Sequence, residues 1–313
     1  MKYSVIIPVY NRPDEVAELL ASIAAQTFRD FEVLVVEDGS SVKCEDIVNQ
    51  YADKLDIKYL FKENGGPAMA RNYAAERAKG DYLLILDSDT VVPEGYFEAI
   101  ENYLKDNDPD AFGGPDRGGD DFTPVQKAIS YSMTSFFTTG GIRGGKRKIT
   151  RFFPRSFNMG VKREVFAKLG GFSAMRFGED VDFSMRVVEA GYTTSLIPDA
   201  WLYHKRRTDF RKFFRQVRNS GKARIALTRR HPGSLRLVHL FPLAFIILSL
   251  ILPFDVLYAL LVFADASIKN KSPKVGLLSV AAAYVQLWGY GIGFVAGLFE
   301  KEQANIDNEK FYR

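Results

Sequence analysis

The segment "YLLILDSDT", Tyr82 to Thr90, places five apolar residues directly before two aspartates that are separated by one serine. A short apolar run of this length is typical of a buried β-strand. Residues i and i+2 of an extended chain point to the same side, so Asp87 and Asp89 can face one cleft. Their carboxylates repel each other unless a hard divalent cation neutralises them, so the pair predicts a site for such a cation. A surface turn rich in aspartate is the alternative for a lone pair of this kind.

Similar apolar runs come earlier in the chain and alternate with helical patterns. The runs are "SVIIPVY", "FEVLVVED" and "IKYLF", and the helical patterns include "PDEVAELLASIAAQT" and "PAMARNYAAERAKG". Apolar strands joined by helices predict an α/β fold with a mainly parallel, doubly wound sheet. In such a fold ligands bind at the carboxyl ends of the strands.

Polar residues gather at these predicted strand ends. They are Pro8, Tyr10 and Asn11 after the first strand, Asp38 after the second, and Asp87, Ser88 and Asp89 after the fourth. The chain has no G-x-G-x-x-G after its first strand and no P-loop motif, so these dinucleotide and phosphate signatures are absent. A carboxylate at Asp38 could accept a hydrogen bond from a nucleobase or a ribose, and Arg71 could reach a base or a phosphate.

Six segments taken together resemble the family 2 inverting glycosyltransferases. They are "SVIIPVYNR", "QTFRDFEVLVVEDGS", "NGGPAMARN", "GDYLLILDSDT", "FNMGVKREVFAKLGGF" and "FGEDVDFSMRVVEAGY", and they occur in order between residue 1 and about residue 204. The resemblance implies a nucleotide-diphosphosugar transferase fold of the A type (GT-A). It also implies a Mg²⁺ or Mn²⁺ cofactor, a nucleotide-sugar donor and transfer to an acceptor hydroxyl.

The resemblance also implies roles for individual residues. Pro8, Tyr10 and Asn11 match the loop around the base, Asp38 matches the carboxylate that recognises the base, and Arg71, Asp87 and Ser88 match further nucleotide-sugar contacts. Asp89, Asp87 and His204 match metal ligands. Asp180 matches the catalytic base, supported by Glu179, and Asn158 and Gly160 match the acceptor site. Asp180 has a structural alternative, because acids in the first turn of a helix interact favourably with the helix dipole. Asp182 and Arg186 are spaced for a helix salt bridge.

The last quarter of the chain is apolar. Residues 237–264 contain only His239 and Asp255 as ionisable groups, and residues 275–299 contain none. The second run is long enough to cross a hydrocarbon core of about 30 Å at about 1.5 Å per residue. Pro253 and Asp255 interrupt the first run, which predicts either one kinked span or a re-entrant hairpin. The alternative is a buried helical hairpin of a soluble protein.

A basic segment precedes these runs. Residues 204–236 contain 12 Lys and Arg against one acid, Asp209, whereas the whole chain carries only +4. Apolar residues recur in this segment near helical spacing, as in a helix that lies in a lipid headgroup layer. A nucleic-acid-binding arm has a similar composition, but the adjoining apolar run favours the membrane.

The sequence therefore predicts four parts and a membrane location, with the catalytic domain facing the cytoplasm. The parts are a catalytic domain (1–204), a basic amphipathic interfacial segment (205–235), two or three membrane helices (236–299) and a polar tail (300–313). The expected acceptor is a membrane-associated lipid or saccharide, and no nucleic-acid partner is expected. The alternatives are a non-catalytic membrane scaffold that binds sugar nucleotides, and a processive polysaccharide synthase. The basic segment lacks the Q-x-x-R-W signature of processive synthases, which favours addition of a single sugar. Residues 122–151 are expected to form a mobile flap.

Overall fold

The computed structural model describes residues 1–119, 121–140 and 152–300. These residues form two compact units. The first consists of residues 1–117 and 152–205, and the second consists of residues 118–119, 121–140 and 206–300. The first unit ends one residue beyond the predicted domain boundary. The second also includes two helices between residues 124 and 139, part of the predicted flap, while residues 141–151 and most of the polar tail lie outside the described residues.

The elements are as follows in chain order. The first half contains β1 (Tyr3–Val9), α1 (Pro13–Ala24), β2 (Phe31–Asp38), α2 (Glu45–Asn49), β3 (Ile57–Lys62), α3 (Pro67–Ala75), β4 (Tyr82–Leu86), β5 (Thr90–Val91), α4 (Tyr96–Asp106), β6 (Ala111–Gly113), β7 (Asp116–Arg117), α5 (Pro124–Thr134) and α6 (Phe136–Thr139). The second half contains β8 (Asn158–Lys162), α7 (Arg163–Lys168), α8 (Glu179–Glu189), β9 (Thr194–Leu196), β10 (Leu202–His204), α9 (Phe210–Arg230), a 3₁₀ turn (Leu237–His239), α10 (Phe241–Leu248), α11 (Leu252–Asn270) and α12 (Pro273–Phe299).

A seven-stranded sheet with the order β3-β2-β1-β4-β8-β6-β9 forms the centre of the first unit. Its strands pair in parallel except β8, which is antiparallel to both β4 and β6. A small second sheet has the order β5-β10-β7. The predicted mainly parallel α/β sheet is therefore confirmed.

Both faces of the large sheet are covered by helices. Along β1, Val5 and Ile7 belong to a core with residues of α1, α2 and α4, whereas Ile6 belongs to a second core with residues of α3, α7 and α8. Successive side chains of a strand point to opposite faces, so an entirely apolar strand contributes to two cores. The continuous apolar runs of β1, β2 and β4 follow from this doubly wound arrangement.

In the second unit, α9 packs along α12 through small residues. A Cβ atom added to Gly293 would lie 1.9 Å from the carbonyl oxygen of Arg218, and one added to Gly221 would lie 2.2 Å from that of Tyr290. Glycine at these positions therefore permits close approach of the two helix backbones. The apolar face of α9, including Phe213 and Val217, is buried in this packing together with residues of α5. The expected contact of this face with the lipid headgroup layer is therefore wrong.

One helix in the described part of the chain, Pro273–Phe299, is long and apolar enough to cross a membrane. The preceding apolar run is broken, as Pro253 and Asp255 indicated, into α10 and α11, whose axes differ by 119°. The two pieces together could form one further span by length and composition. Several apolar side chains of this pair are more than half exposed: Ile247, Leu250, Ile251, Leu257, Leu260 and Ile268.

Candidate functional site

Asp87 and Asp89 lie in a tight turn at the carboxyl end of β4. The turn is closed at the carbonyl oxygen of Asp87, which accepts hydrogen bonds from the Thr90 hydroxyl at 2.7 Å and the Thr90 N–H at 3.2 Å. The backbone is thus not extended here, but the predicted convergence of the two carboxylates is confirmed. They join His204 in a group whose ligand atoms, one from each residue, lie within 4.8 Å of one another.

The small sheet brings His204 to the two aspartates. Strand β10 pairs antiparallel with β5, so that His204 lies opposite Thr90, the residue that follows Asp89. His204 Nε2 lies 3.3 Å from Asp89 Oδ1, and Nδ1 lies 3.7 Å from Asp116 Oδ2. Burial by itself lowers the pKa of His204, but the contacts with Asp116 and Asp89 raise it to about 9. Because metal binding needs the neutral imidazole, a proton and a cation compete for this ring.

Arg12, at the start of α1, holds the other oxygen of Asp89. Its Nη1 atom donates to Asp89 Oδ2, on the opposite side of the carboxylate from His204. Burial raises the pKa of Asp89, but His204 and Arg12 outweigh this effect and hold that pKa well below its usual range. The carboxylate is therefore ionised and oriented, with Oδ1 facing the side chain of His204.

Arg71 connects the two acidic motifs. It is 3% exposed, and its Nη2 and Nη1 atoms contact Asp87 Oδ1 at 2.7 Å and Glu179 Oε1 at 2.8 Å. Burial lowers the pKa of Arg71, but the two carboxylates raise it above its ordinary value, so the side chain remains charged. Arg71 is thus occupied as a bridge between β4 and α8. A direct contact with a nucleotide stays a prediction, because the side chain is almost fully buried.

Asp180 and Glu179 begin α8 and have different environments. Arg155 Nε donates to Asp180 Oδ2 at 2.7 Å, and this charge holds the pKa of Asp180 below its ordinary value against the effect of burial. Burial raises the pKa of Glu179 above its ordinary value despite the contact with Arg71. The predicted salt bridge from Arg186 to Asp182 is confirmed at 3.0 Å.

Asp38 is fully buried at the end of β2. Its oxygens accept hydrogen bonds from the N–H groups of Gly65 and Gly66 at 2.9 and 2.7 Å, and Lys62 Nζ donates to the same carboxylate at 2.7 Å. The side chain therefore holds the Gly-Gly loop that precedes α3. Recognition of a base by Asp38 stays a prediction, since the side chain is fully buried and already accepts from these three donors.

The loop after β1 is tied to the loop after β2 by Asn11. Its N–H donates to Ser40 Oγ at 2.8 Å, and its Oδ1 accepts from the N–H of Val42 at 2.9 Å. The backbone of Asn11 has φ of 52°, in the left-handed region that asparagine tolerates better than most residues. The predicted base-binding residues lie along this rim: Pro8 within β1, Tyr10 half-buried beyond it, and Ser88 buried in the turn after β4.

Asn158 and Gly160 do not fit the predicted acceptor site. Both lie in β8, inside the sheet. Asn158 is 2% exposed, and its amide accepts from the Tyr96 hydroxyl at 2.6 Å and donates to the carbonyl oxygen of Ala200 at 2.8 Å. A Cβ atom at Gly160 would lie 2.1 Å from the ring of Phe112. The segment "FNMG" is therefore a packed strand, which its low β-propensity did not indicate.

A cavity of about 490 Å³ opens elsewhere in the first unit. It is lined by Lys62, Glu63, Asn64, Gly65, Met69, Asn72, Tyr73 and Glu76, none of which the sequence analysis assigned to nucleotide or metal. Lys62 and Gly65 also contact Asp38, so the cavity adjoins the Gly-Gly loop.

The charges of the carboxylate site suit a divalent cation. Among the described residues whose contacts are given above, five carboxylates (Asp87, Asp89, Asp116, Glu179 and Asp180) accompany three guanidinium groups (Arg12, Arg71 and Arg155), so this group carries two excess negative charges when His204 is neutral. Two carboxylates and one imidazole are a donor set that binds Mn²⁺ and other first-row cations. The residues present therefore fit the expected metal, although the sequence analysis had not singled out Arg12, Asp116 or Arg155.

Comparison with known proteins identifies the family. Residues 4–170, more than half of the chain, match the family model described as Glycosyl transferase family 2, so the chain belongs to the family 2 glycosyltransferases. One curated relative is the minor teichoic acid biosynthesis protein GgaB of Bacillus subtilis, 27% identical over 213 residues, which cover 66% of this chain and 23% of GgaB. Another is the poly(ribitol-phosphate) beta-N-acetylglucosaminyltransferase TarS of Staphylococcus aureus, 43% identical over 96 residues, 29% of this chain and 17% of TarS. The matched parts are thus less than a quarter of either relative.

Solved structures show the same fold. The mannosyltransferase PcManGT from Pyrobaculum calidifontis, in complex with GDP-Man and Mn²⁺, has a TM-score of 0.65 at 21% identity over 96% of this chain and 88% of that chain. Residues 1–349 of S. aureus TarS in complex with UDP-GlcNAc give a TM-score of 0.56 at 20% identity over 95% of this chain and 91% of that chain. The expected GT-A fold is confirmed.

Proposed function

We propose that this protein transfers a single sugar from a nucleoside diphosphate sugar to an acceptor hydroxyl, with a divalent cation and inversion at the anomeric carbon. The observation that carries the proposal is the series of neighbouring side chains from His204 through Asp89, Asp87 and Arg71 to Glu179, in which Asp89 and Asp87 have ligand atoms within 4.8 Å and the other neighbours are in direct contact. These contacts connect a cation site to the acidic start of α8. The leaving diphosphate would lie near the cation site, and the attacking hydroxyl would lie near the start of α8.

The donor side of the site would hold the diphosphate. Asp87, Asp89 and His204 are the residues that would hold Mg²⁺ or Mn²⁺, and the cation would neutralise charge that develops on the leaving phosphate oxygen. Arg12 would keep Asp89 oriented, and Arg71 would keep Asp87 and Glu179 in register. The PcManGT complex with GDP-Man and Mn²⁺ and the TarS complex with UDP-GlcNAc support a nucleotide-sugar donor.

The acceptor side of the site would move one proton. An acceptor hydroxyl has a pKa far above 7, and a positioned carboxylate that takes its proton during attack accelerates such a step by about 10²- to 10⁴-fold. Asp180 is the carboxylate that we propose for this role. The contact from Arg155 keeps it ionised and fixes its direction. Direct attack of the hydroxyl on the anomeric carbon inverts that centre and needs no covalent intermediate.

A donor screen tests the proposed function. The full chain is incubated with UDP- and GDP-sugars in the presence of Mn²⁺, Mg²⁺ or a chelator, and release of nucleoside diphosphate is measured with and without a membrane extract. We expect release with one donor class, an increase when the extract is added, and loss of at least about 90% of the release with the chelator. Binding of a donor without turnover across a broad acceptor panel would instead support a non-catalytic scaffold.

We further propose that the protein acts at a membrane, with the catalytic unit on the cytoplasmic side. The exposed apolar residues of α10 and α11, the long apolar α12 and the basic exposed side chains of α9 support this location. Lys and Arg beside an apolar segment favour the cytoplasmic side. The acceptor would then be a lipid or a saccharide at the membrane, and the teichoic-acid name of GgaB supports an acceptor in the cell envelope.

Two substitutions test the membrane contact. Leu257 and Leu260 are 57% and 59% exposed on α11, and we expect Leu257→Asp with Leu260→Asp to move most of the protein from the membrane to the soluble fraction. Each aspartate at hydrocarbon depth costs about 3 kcal/mol. The measurement is flotation with anionic vesicles. Val42→Asp, at a 55% exposed apolar residue of the first unit, is the matched control and should float like the unsubstituted protein. Unchanged flotation of the double variant would contradict the assignment.

A further inference from the structure

Arg155 differs from Arg71 in how much of its guanidinium is engaged. Arg71 uses both Nη atoms on carboxylates and is 4% exposed at its side chain. Within the described residues, the one hydrogen bond of the Arg155 guanidinium is that from Nε to Asp180, and the side chain is 40% exposed. Its two Nη atoms therefore remain available for a further acceptor.

The position of Arg155 is fixed from two sides. Its carbonyl oxygen accepts a hydrogen bond from the N–H of Asn158 at 2.9 Å, which joins it to the start of β8. Its Nε atom is held by Asp180 at 2.7 Å. A guanidinium that is anchored at Nε presents its Nη atoms as a planar fork in one direction, which is the geometry that binds phosphate in bidentate fashion.

The surrounding carboxylates keep the guanidinium of Arg155 cationic, and one of them is the proposed base Asp180. Burial lowers the pKa of Arg155, but Asp180, Glu179 and Asp116 together raise it above its ordinary value. Asp116 lies beside His204 of the cation site, and Asp180 is the proposed base. Arg155 thus contacts the proposed base directly and interacts electrostatically with Asp116, which lies beside the cation site.

We infer that the two Nη atoms of Arg155 bind a phosphate group of a substrate, either the diphosphate of the donor or a phosphate carried by the acceptor. This inference rests on the proposed function. The two sources share one chemistry, a phosphate oxyanion in a bidentate contact, and binding measurements can separate them.

The test compares Arg155→Gln and Arg155→Lys with the unsubstituted full chain in Mn²⁺. Binding of UDP, GDP and octyl phosphate is measured by titration calorimetry, with uridine and octyl glucoside as probes that lack phosphate. A lost charged hydrogen-bond pair should raise the Kd of a phosphate-bearing probe by about 10- to 100-fold in Arg155→Gln. In Arg155→Lys, which keeps the charge but loses the planar fork of N–H donors, we expect the Kd to rise by about three- to tenfold.

The pattern of loss identifies the source of the phosphate. A raised Kd for UDP or GDP alone assigns the fork to the donor, a raised Kd for octyl phosphate alone assigns it to the acceptor, and both together indicate a phosphate shared between the two sites. Arg77→Gln is the matched control, because Arg77 is exposed at the end of α3 and contacts Tyr73 and Glu76. Its Kd values should stay within about twofold of the unsubstituted protein.

Two results would overturn the inference, and only one of them also overturns the proposed function. If the unsubstituted chain binds UDP or GDP and both Arg155 variants bind every probe equally well, the inference fails and the proposed function stands. If the unsubstituted chain binds none of the phosphate-bearing probes, the inference and the proposed function fail together. Thermal unfolding checks the fold of each variant, and Arg155→Lys carries the test if Arg155→Gln does not fold.

Discussion

Asp89→Asn should abolish sugar transfer while leaving the fold intact. The change keeps the shape of the side chain but removes the charge that faces His204 and Arg12, so the proposed cation site loses a ligand and Arg12 loses its partner. Loss of one preorganised electrostatic contact to a transition state lowers kcat by about 10²- to 10³-fold, and loss of a direct ligand should cost at least as much. Donor turnover and Mn²⁺ affinity are the measurements, and both should fall.

Asp81→Asn is the control for this change. Asp81 lies at the opposite end of the same strand, immediately before β4, and is exposed. Turnover and Mn²⁺ affinity of this variant should match those of the unsubstituted protein, and circular dichroism should show the same fold in both variants. If Asp89→Asn turned over donor at the normal rate, Asp89 would not be a ligand of a catalytic cation.

The sequence predicted the sheet and the convergence of Asp87 and Asp89 because both depend on local patterns. The continuous apolar runs of β1, β2 and β4 are visible in any window of five to eight residues, and two faces of apolar residues require two helical layers. Asp87 and Asp89 follow β4 directly, so their place at the sheet edge follows from the strand itself. His204 entered only through the resemblance, and the pairing of β10 with β5 explains why it lies beside them.

The contacts among the other site residues could not be predicted in this way, because the partners are far apart in the chain. Arg12 and Asp89 are separated by 77 residues, and Arg71 and Glu179 by 108. A guanidinium on a helix is an ordinary solvated side chain until the fold gives it a carboxylate. Asp116 lies in β7, which pairs in parallel with β10 and places Asp116 opposite Leu202. The sequence does not indicate this pairing, because a strand of two residues has no recognisable pattern.

The same limit applies to α9. Its apolar residues have helical spacing, and spacing alone does not distinguish a helix that faces lipid from one that packs on another helix. In the structure α9 packs on α12, because the glycines at 221, 289 and 293 allow the two helices to approach closely. What α9 leaves at its surface is basic, including Arg211, Arg215 and Arg218. A headgroup contact of this helix would therefore be electrostatic rather than apolar.

Asp180→Asn should lower kcat for transfer by about 10²- to 10⁴-fold, the usual contribution of a general base. The asparagine amide cannot take a proton from the acceptor hydroxyl. Because Asp180 belongs to no described contact of the cation cluster, the Kd for Mn²⁺ should change little, whereas the Kd for the donor nucleotide should rise only if Arg155, which Asp180 anchors, binds the donor diphosphate. Stopped assays with saturating donor give kcat, and calorimetry gives the two Kd values.

The pH dependence of the reaction separates Asp180 from its neighbour Glu179. A base acts in its ionised form, so its contribution is lost as the pH falls through its pKa. Arg155 holds the pKa of Asp180 below its ordinary value of about 3.9, so this group should cause no decline in rate between pH 8 and about pH 4. The pKa of Glu179 is raised above its ordinary value, so a Glu179 base would cause a decline at higher pH. If such a decline disappeared in Glu179→Gln, and Asp180→Asn kept normal turnover, Glu179 would be the base and the proposed roles of the two carboxylates would be exchanged.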